Sequence, residues 1–144
     1  MVEDDTIKLL RECNAGIKMG ISSLEDAMEK VEDKKLFGVL QKSKEAHAKL
    51  GDATHEYLNE YHDEGKEPAP MAKMMSKLKT DMKSLSDKVD AGIADLITDG
   101  CNMGTKSLYR YLNQYPAAAE KIKKLTKDII GVEENLIESL RVYL

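Results

Sequence analysis

The chain has 144 residues, one domain's worth and enough to bury a real core. Charged residues make up 33%, aromatics 5%, and Trp is absent, a composition that suits long helices and argues against a sheet. The net charge of −4 is spread over interspersed acids and bases, no run of about 18 apolar residues occurs, and the opening Met1-Val2-Glu3-Asp4-Asp5 is acidic where a secretory signal would be basic; these features argue against a nucleic-acid partner, a membrane span and export, and point to a cytoplasmic protein.

A first helix is expected to start at a cap among Asp4, Asp5 and Thr6, whose side-chain oxygens can accept from unpaired backbone N–H groups. Ile7, Leu10, Ile17, Ile21, Leu24, Met28 and Val31 then recur at steps of three and four, which draws one apolar stripe along it to an end near Glu32. Asp33 should cap the second helix, where Leu36, Leu40, Ser43, His47, Leu50, Thr54, Tyr57 and Tyr61 share a face. The connection is so short that the two helices must fold back antiparallel.

The pattern breaks between Asp63 and Pro70, at Gly65 and two prolines. A shorter methionine-rich helix follows, carrying Met71, Met74, Met75, Leu78, Met82 and Leu85, and its expected role is a strap over an apolar groove. Ser86 or Asp87 is the candidate cap of the next long helix, which presents Ile93, Ile97, Cys101, Gly104, Leu108, Tyr111 and Tyr115 inward until Pro116 stops it. The last helix runs from about Ala117 on Ile122, Leu125, Ile129, Glu133, Leu136, Leu140 and Tyr143.

The chain repeats itself. Cys13-Asn14-Ala15-Gly16-Ile17-Lys18 returns as Cys101-Asn102-Met103-Gly104-Thr105-Lys106, and Tyr57-Leu58 returns as Tyr143-Leu144. Two hairpins, 5–62 and 86–144, joined by a crossover over 63–85, give an all-α four-helix bundle with a pseudo-two-fold axis and a short helix in the crossover. Cys13 with Gly16 and Gly20, the Gly65-Lys66-Glu67-Pro68 linker and Cys101 with Gly104 carry a resemblance to the ferritin-like superfamily, and within it to a bacterial branch known only as a domain of unknown function. The resemblance spans nearly the whole chain; it implies the bundle fold and no established activity.

A ferritin-like di-iron centre needs a carboxylate from one helix of each pair and Glu-x-x-His from the other. The windows here read Lys44-Glu45-Ala46-His47 and Ile130-Gly131-Val132-Glu133, and the inward face of the first helix offers Cys13, Asn14 and Ile17, none of them a carboxylate. A conventional di-iron site is therefore not expected. His47 and Glu133 nonetheless fall at matching positions of the repeat, as do Cys13 and Cys101, and all four should point toward the middle of the bundle. Three outcomes follow from that geometry. His47 and Glu133 can satisfy each other as a buried pair, with the thiols as small apolar fillers. The four groups can bind one Zn or Fe ion, since thiolate and imidazole favour those metals. Or Cys13 and Cys101 can form a disulfide across the axis.

Asp52 and His55 face away from the core by helical angle, while His55 and His62 share an edge that is either solvated or an oligomer contact. The tyrosines read as packing groups, with Tyr57 and Tyr61 expected at one end of the bundle and Tyr111 and Tyr115 at the other. No nucleophile elbow, phosphate loop or CxxC occurs. The sequence thus points to a non-enzymatic interaction or structural protein that self-associates as a homo-oligomer, with Ile21, Met28, Phe37 and Val39 as incompletely buried apolar residues. The alternative is a metal-binding or redox protein using Cys13, His47, Cys101 and Glu133.

Overall fold

The structure, a computed structural model, describes residues 2–65, 69–83, 85 and 88–144, with 69–72, 74 and 75 described in backbone only. Within them the regular structure is helical throughout: α1 (Val2–Lys30), α2 (Lys34–Glu60), α3 (Ala69–Lys83), α4 (Val89–Gln114) and α5 (Glu120–Leu140), closed by a 3₁₀ turn at Arg141–Tyr143. The side chains of Met71, Met74 and Met75 and the candidate caps Ser86 and Asp87 lie outside the described set, as do linker residues 66–68.

The architecture is the expected pair of hairpins joined by a crossover that contains a short helix. Three residues separate α1 from α2, and Asp33 caps α2 as its type predicts, accepting from the N–H groups of Lys35 and Leu36. Around the bundle α1 packs on α2, α2 on α5, α5 on α4 and α4 on α1, while α3 lies against the two leading helices, α1 and α4. Neighbouring helices are antiparallel. Glu60 at the end of α2 meets Lys121 at the start of α5, and Asp90 at the start of α4 meets the chain just past the end of α1.

Those end contacts correct the reading of the first cap. The helix already starts at Val2, and the Thr6 hydroxyl donates back to the Val2 carbonyl inside it. Asp5 and Thr6 instead accept the N–H groups of Ala117 and Ala119, in the turn between α4 and α5. At the opposite end the Asp90 carboxylate accepts the N–H groups of Glu32 and Asp33, in the turn between α1 and α2. Each leading helix thus begins by holding the other hairpin's turn, and these amides find partners outside their own helix.

The core falls into two apolar clusters. One joins Leu9, Leu10, Cys13 and Ile17 to Leu58, Leu108, Ile122, Leu125 and Ile129; the other joins Leu24, Leu36 and Leu40 to Ile93, Ile97, Cys101, Leu136 and Leu140, with Met82 of the crossover helix closing it. Tyr57, Tyr61, Tyr111 and Tyr115 all pack on the first cluster. Their expected division between opposite ends is therefore wrong: the crossover carries the chain back to the end where α2 begins, beside the turn between α1 and α2, so α2 and α4 run parallel and finish together. Lys121 lies over the rings of Tyr57 and Tyr61, 5.3 and 5.5 Å from their centroids.

Candidate functional site

Between the two apolar clusters lies a polar layer, and His47 is at its centre. The ring is 1% exposed. Its Nδ1 sits 2.8 Å from the Ser43 carbonyl, one turn earlier in α2. A carbonyl only accepts, so Nδ1 carries a proton. Its Nε2 is 2.9 Å from Oε1 of Glu133, which α5 brings in from the opposite side. Both ring nitrogens are thereby engaged. Burial works against a charge on the ring, the hydrogen bond and charge of Glu133 and the Ser43 carbonyl work for it, and the outcome is a histidine that holds its proton above the ordinary value of 6.5.

Gly20 on α1 makes room for this pair. A Cβ on Gly20 of α1 would lie 2.9 Å from both Cδ2 and Nε2 of His47, and one on Gly104 of α4 would lie 3.6 Å from Oε2 of Glu133. Gly20 thus lets α1 pack directly against the His47 ring. Periodicity placed His47 and Glu133 opposite each other; nothing in the spacing revealed that Gly20 and Gly104 would stand beside them.

The two thiols go different ways. Cys101 lies beside Glu133; burial, then the charge of that carboxylate and a hydrogen bond to it, push its pKa far upward. Cys13 belongs to the other cluster, where its Sγ is 3.2 Å from Oγ1 of Thr126. That hydroxyl already donates to the Ile122 carbonyl, so the thiol donates to it. Burial pushes Cys13 up to about 12. Both cysteines are free and buried. Among the described residues, no three His, Cys, Asp or Glu side chains converge as a metal-ion site.

A cavity of about 550 Å³ opens between α1, α4 and α3, and His47, Glu133 and Cys101 form part of its wall. Gly16 and Gly100 also line it, and a Cβ on either would meet nothing within 4 Å. Glu12 and Tyr111 line it as well; burial raises the Glu12 pKa, which a hydrogen bond to Tyr111 partly offsets. Asp52 and His55 are exposed on α2, away from this centre.

Two further polar side chains of α1 find partners just past the end of α2. Asn14 is 3% exposed and donates through Nδ2 to the Gly65 carbonyl. Arg11 pairs with Asp63, its Nε lying 2.8 and 3.0 Å from the two carboxylate oxygens. Together they tie the exit of α2 to α1. Gly65 is needed there: its φ is +67°, and a Cβ would come within 2.8 Å of Asn14 Nδ2. The partner of Asn14 lies 51 residues away, beyond the reach of any local pattern.

No protein-family model matches the sequence, and no curated protein matches it. Among solved structures the chain is similar to the crystal structure of a DUF305 fragment from Deinococcus radiodurans, with a TM-score of 0.77 at 10% identity over 96% of this chain and 93% of that one. At that identity the likeness is one of fold. It sets this backbone beside a helical domain of unknown function and leaves ferritin-like membership to the sequence resemblance alone.

Proposed function

We propose that this chain is a non-enzymatic interaction protein: a single ferritin-like bundle over residues 1–144 whose centre binds helices together instead of binding iron. The observation that carries this reading is the double engagement of His47, with Ser43 on Nδ1 and Glu133 on Nε2. A metal ligand must offer one ring nitrogen with its lone pair free, and here a metal would have to take Nε2 from Glu133. The thiols support a non-enzymatic reading, since burial holds both protonated and so poor as nucleophiles. Free thiols also suit the cytoplasm, where we place the protein.

Interaction through self-association has a surface to work from. Phe37, Val142 and Leu144 are exposed, 38%, 83% and 62%, at the shared end formed by the start of α2 and the close of α5. Untagged protein exposed to excess Zn²⁺ and Fe²⁺ and then desalted tests the centre: the expectation is less than a tenth of an equivalent of metal, and one equivalent that disappears in His47→Ala would return the site to the metal-binding alternative. Sedimentation velocity tests the association. Concentration-dependent growth, abolished by Phe37→Glu with Val142→Glu, is expected, and a strictly monomeric wild type at millimolar concentration would refute it.

A further inference from the structure

The crossover helix α3 departs from the mixed charge of the rest of the chain. It carries four lysines, Lys73, Lys77, Lys79 and Lys83, against the single carboxylate of Asp81, in a chain whose net charge is −4. At about 100° per residue the four fall on one outward arc of roughly 160°. Ser76 and Thr80 run along its middle, with Lys73 and Lys77 on one flank and Lys79 and Lys83 on the other. The opposite side faces the bundle, where Met82 is buried and Leu78 half-buried. All four lysines are exposed, and among the described residues none is in an ion pair, unlike Lys121 and Lys124 on α5.

Asp81 lies off this arc, on the cavity wall, and has a contact of its own. Glu12 of α1 and Asp99 of α4 line the cavity beneath α3, a helix layer of about 8–10 Å further in. That is about one Debye length at physiological salt, so an anionic surface resting on α3 meets the lysines while the acids behind them are screened. The residue types select the kind of anion. The helix has no arginine, whose planar fork pairs with single carboxylates; lysine is a point charge on a long flexible stem and suits a field spread over many groups. The outward arc offers no aromatic or aliphatic anchor to seat a peptide, and the Thr80 hydroxyl is committed to the Ser76 carbonyl. Flanks so far apart do not converge on one extended strand, whereas long stems from both reach a plane.

We propose that the outward face of α3 is a docking surface for an anionic lipid membrane, on which the bundle rests peripherally through Lys73, Lys77, Lys79 and Lys83. This partner is additional to self-association and does not depend on it. A lysine close to an anionic leaflet strengthens adsorption about fivefold, so four together supply on the order of several hundredfold. The test is co-sedimentation of the untagged full chain with vesicles of phosphatidylcholine, alone or with one third phosphatidylserine, in about 0.1 M salt. The phosphatidylserine vesicles should bind and the neutral ones should not, and about 1 M salt should release the chain. Each single Lys→Gln change on α3 should weaken binding about fivefold, and all four together should abolish it. The charge-matched change of Lys34, Lys42, Lys49 and Lys127 to Gln, exposed on α2 and α5, should retain binding. Poly-glutamate at equal negative charge should bind more weakly than the vesicles. Absence of binding to phosphatidylserine vesicles, equal loss in the two quadruple variants, or a loss confined to one lysine would each overturn the proposal. Tighter binding of poly-glutamate would overturn it in favour of an acidic protein segment.

Discussion

Replacing Gly20 by alanine pits two effects of known size against each other. In a helix interior, alanine is favoured over glycine by about 1 kcal/mol. At Gly20 the added carbon would stand 2.9 Å from two atoms of the His47 ring, closer than carbon atoms tolerate. The ring cannot swing aside without cost, because Ser43 holds one nitrogen at 2.8 Å and Glu133 the other at 2.9 Å. Overpacking of this kind costs about 1–3 kcal/mol, and loosening a hydrogen bond to a charged partner costs about 1.5–3 kcal/mol more if the ring gives way. The two costs are alternatives in part, since movement of the ring relieves the clash, so a net destabilisation of about 1–3 kcal/mol is expected after the helix gain. Gly16→Ala, one turn earlier on the same helix, is the internal control. Its new carbon meets nothing, and it should stabilise by about 0.5–1 kcal/mol. Urea unfolding followed by helical circular dichroism measures both. If Gly20→Ala is as stable as Gly16→Ala, the close packing of α1 on the His47–Glu133 pair is not as described.

Other outcomes follow from the same centre. Because folding raises the His47 pKa, the stability contributed by its protonated form is fully present below the unfolded value near 6.5 and is lost as pH rises through the higher folded value. Thermal midpoints should therefore fall across that window in wild type, and His47→Gln should flatten the fall; an identical slope in the two proteins would refute the assignment. Both thiols should resist iodoacetamide at pH 8 in the native state and react at once in denaturant, since burial keeps each protonated. Rapid native labelling of Cys101 in particular would show that the layer beside Glu133 opens readily.

Helical spacing and punctuation made the architecture legible before any coordinates. Periods of three and four residues, Asp33 as a cap, Pro116 as a stop and the repeated Cys-Asn-x-Gly segment determined two hairpins and their crossover, and they placed His47 opposite Glu133, because these signals depend only on neighbours along one helix. They could not say what a polar residue at a helix end would serve. Asp5 and Thr6 look like caps in sequence, yet they act across the bundle as Asp90 does, holding turns that belong to the other hairpin. Nor could spacing divide the four groups aimed at the centre, where Cys13 joined Thr126 and only Cys101 stayed beside Glu133. Of the five glycines on the leading helices, Gly16, Gly20, Gly100 and Gly104 carry no local signal that tells them apart. Tertiary packing alone separated Gly20, where the His47 ring takes the place of a side chain, from Gly16 and Gly100, where a Cβ would meet nothing, because what a missing side chain does depends on which neighbour fills its place.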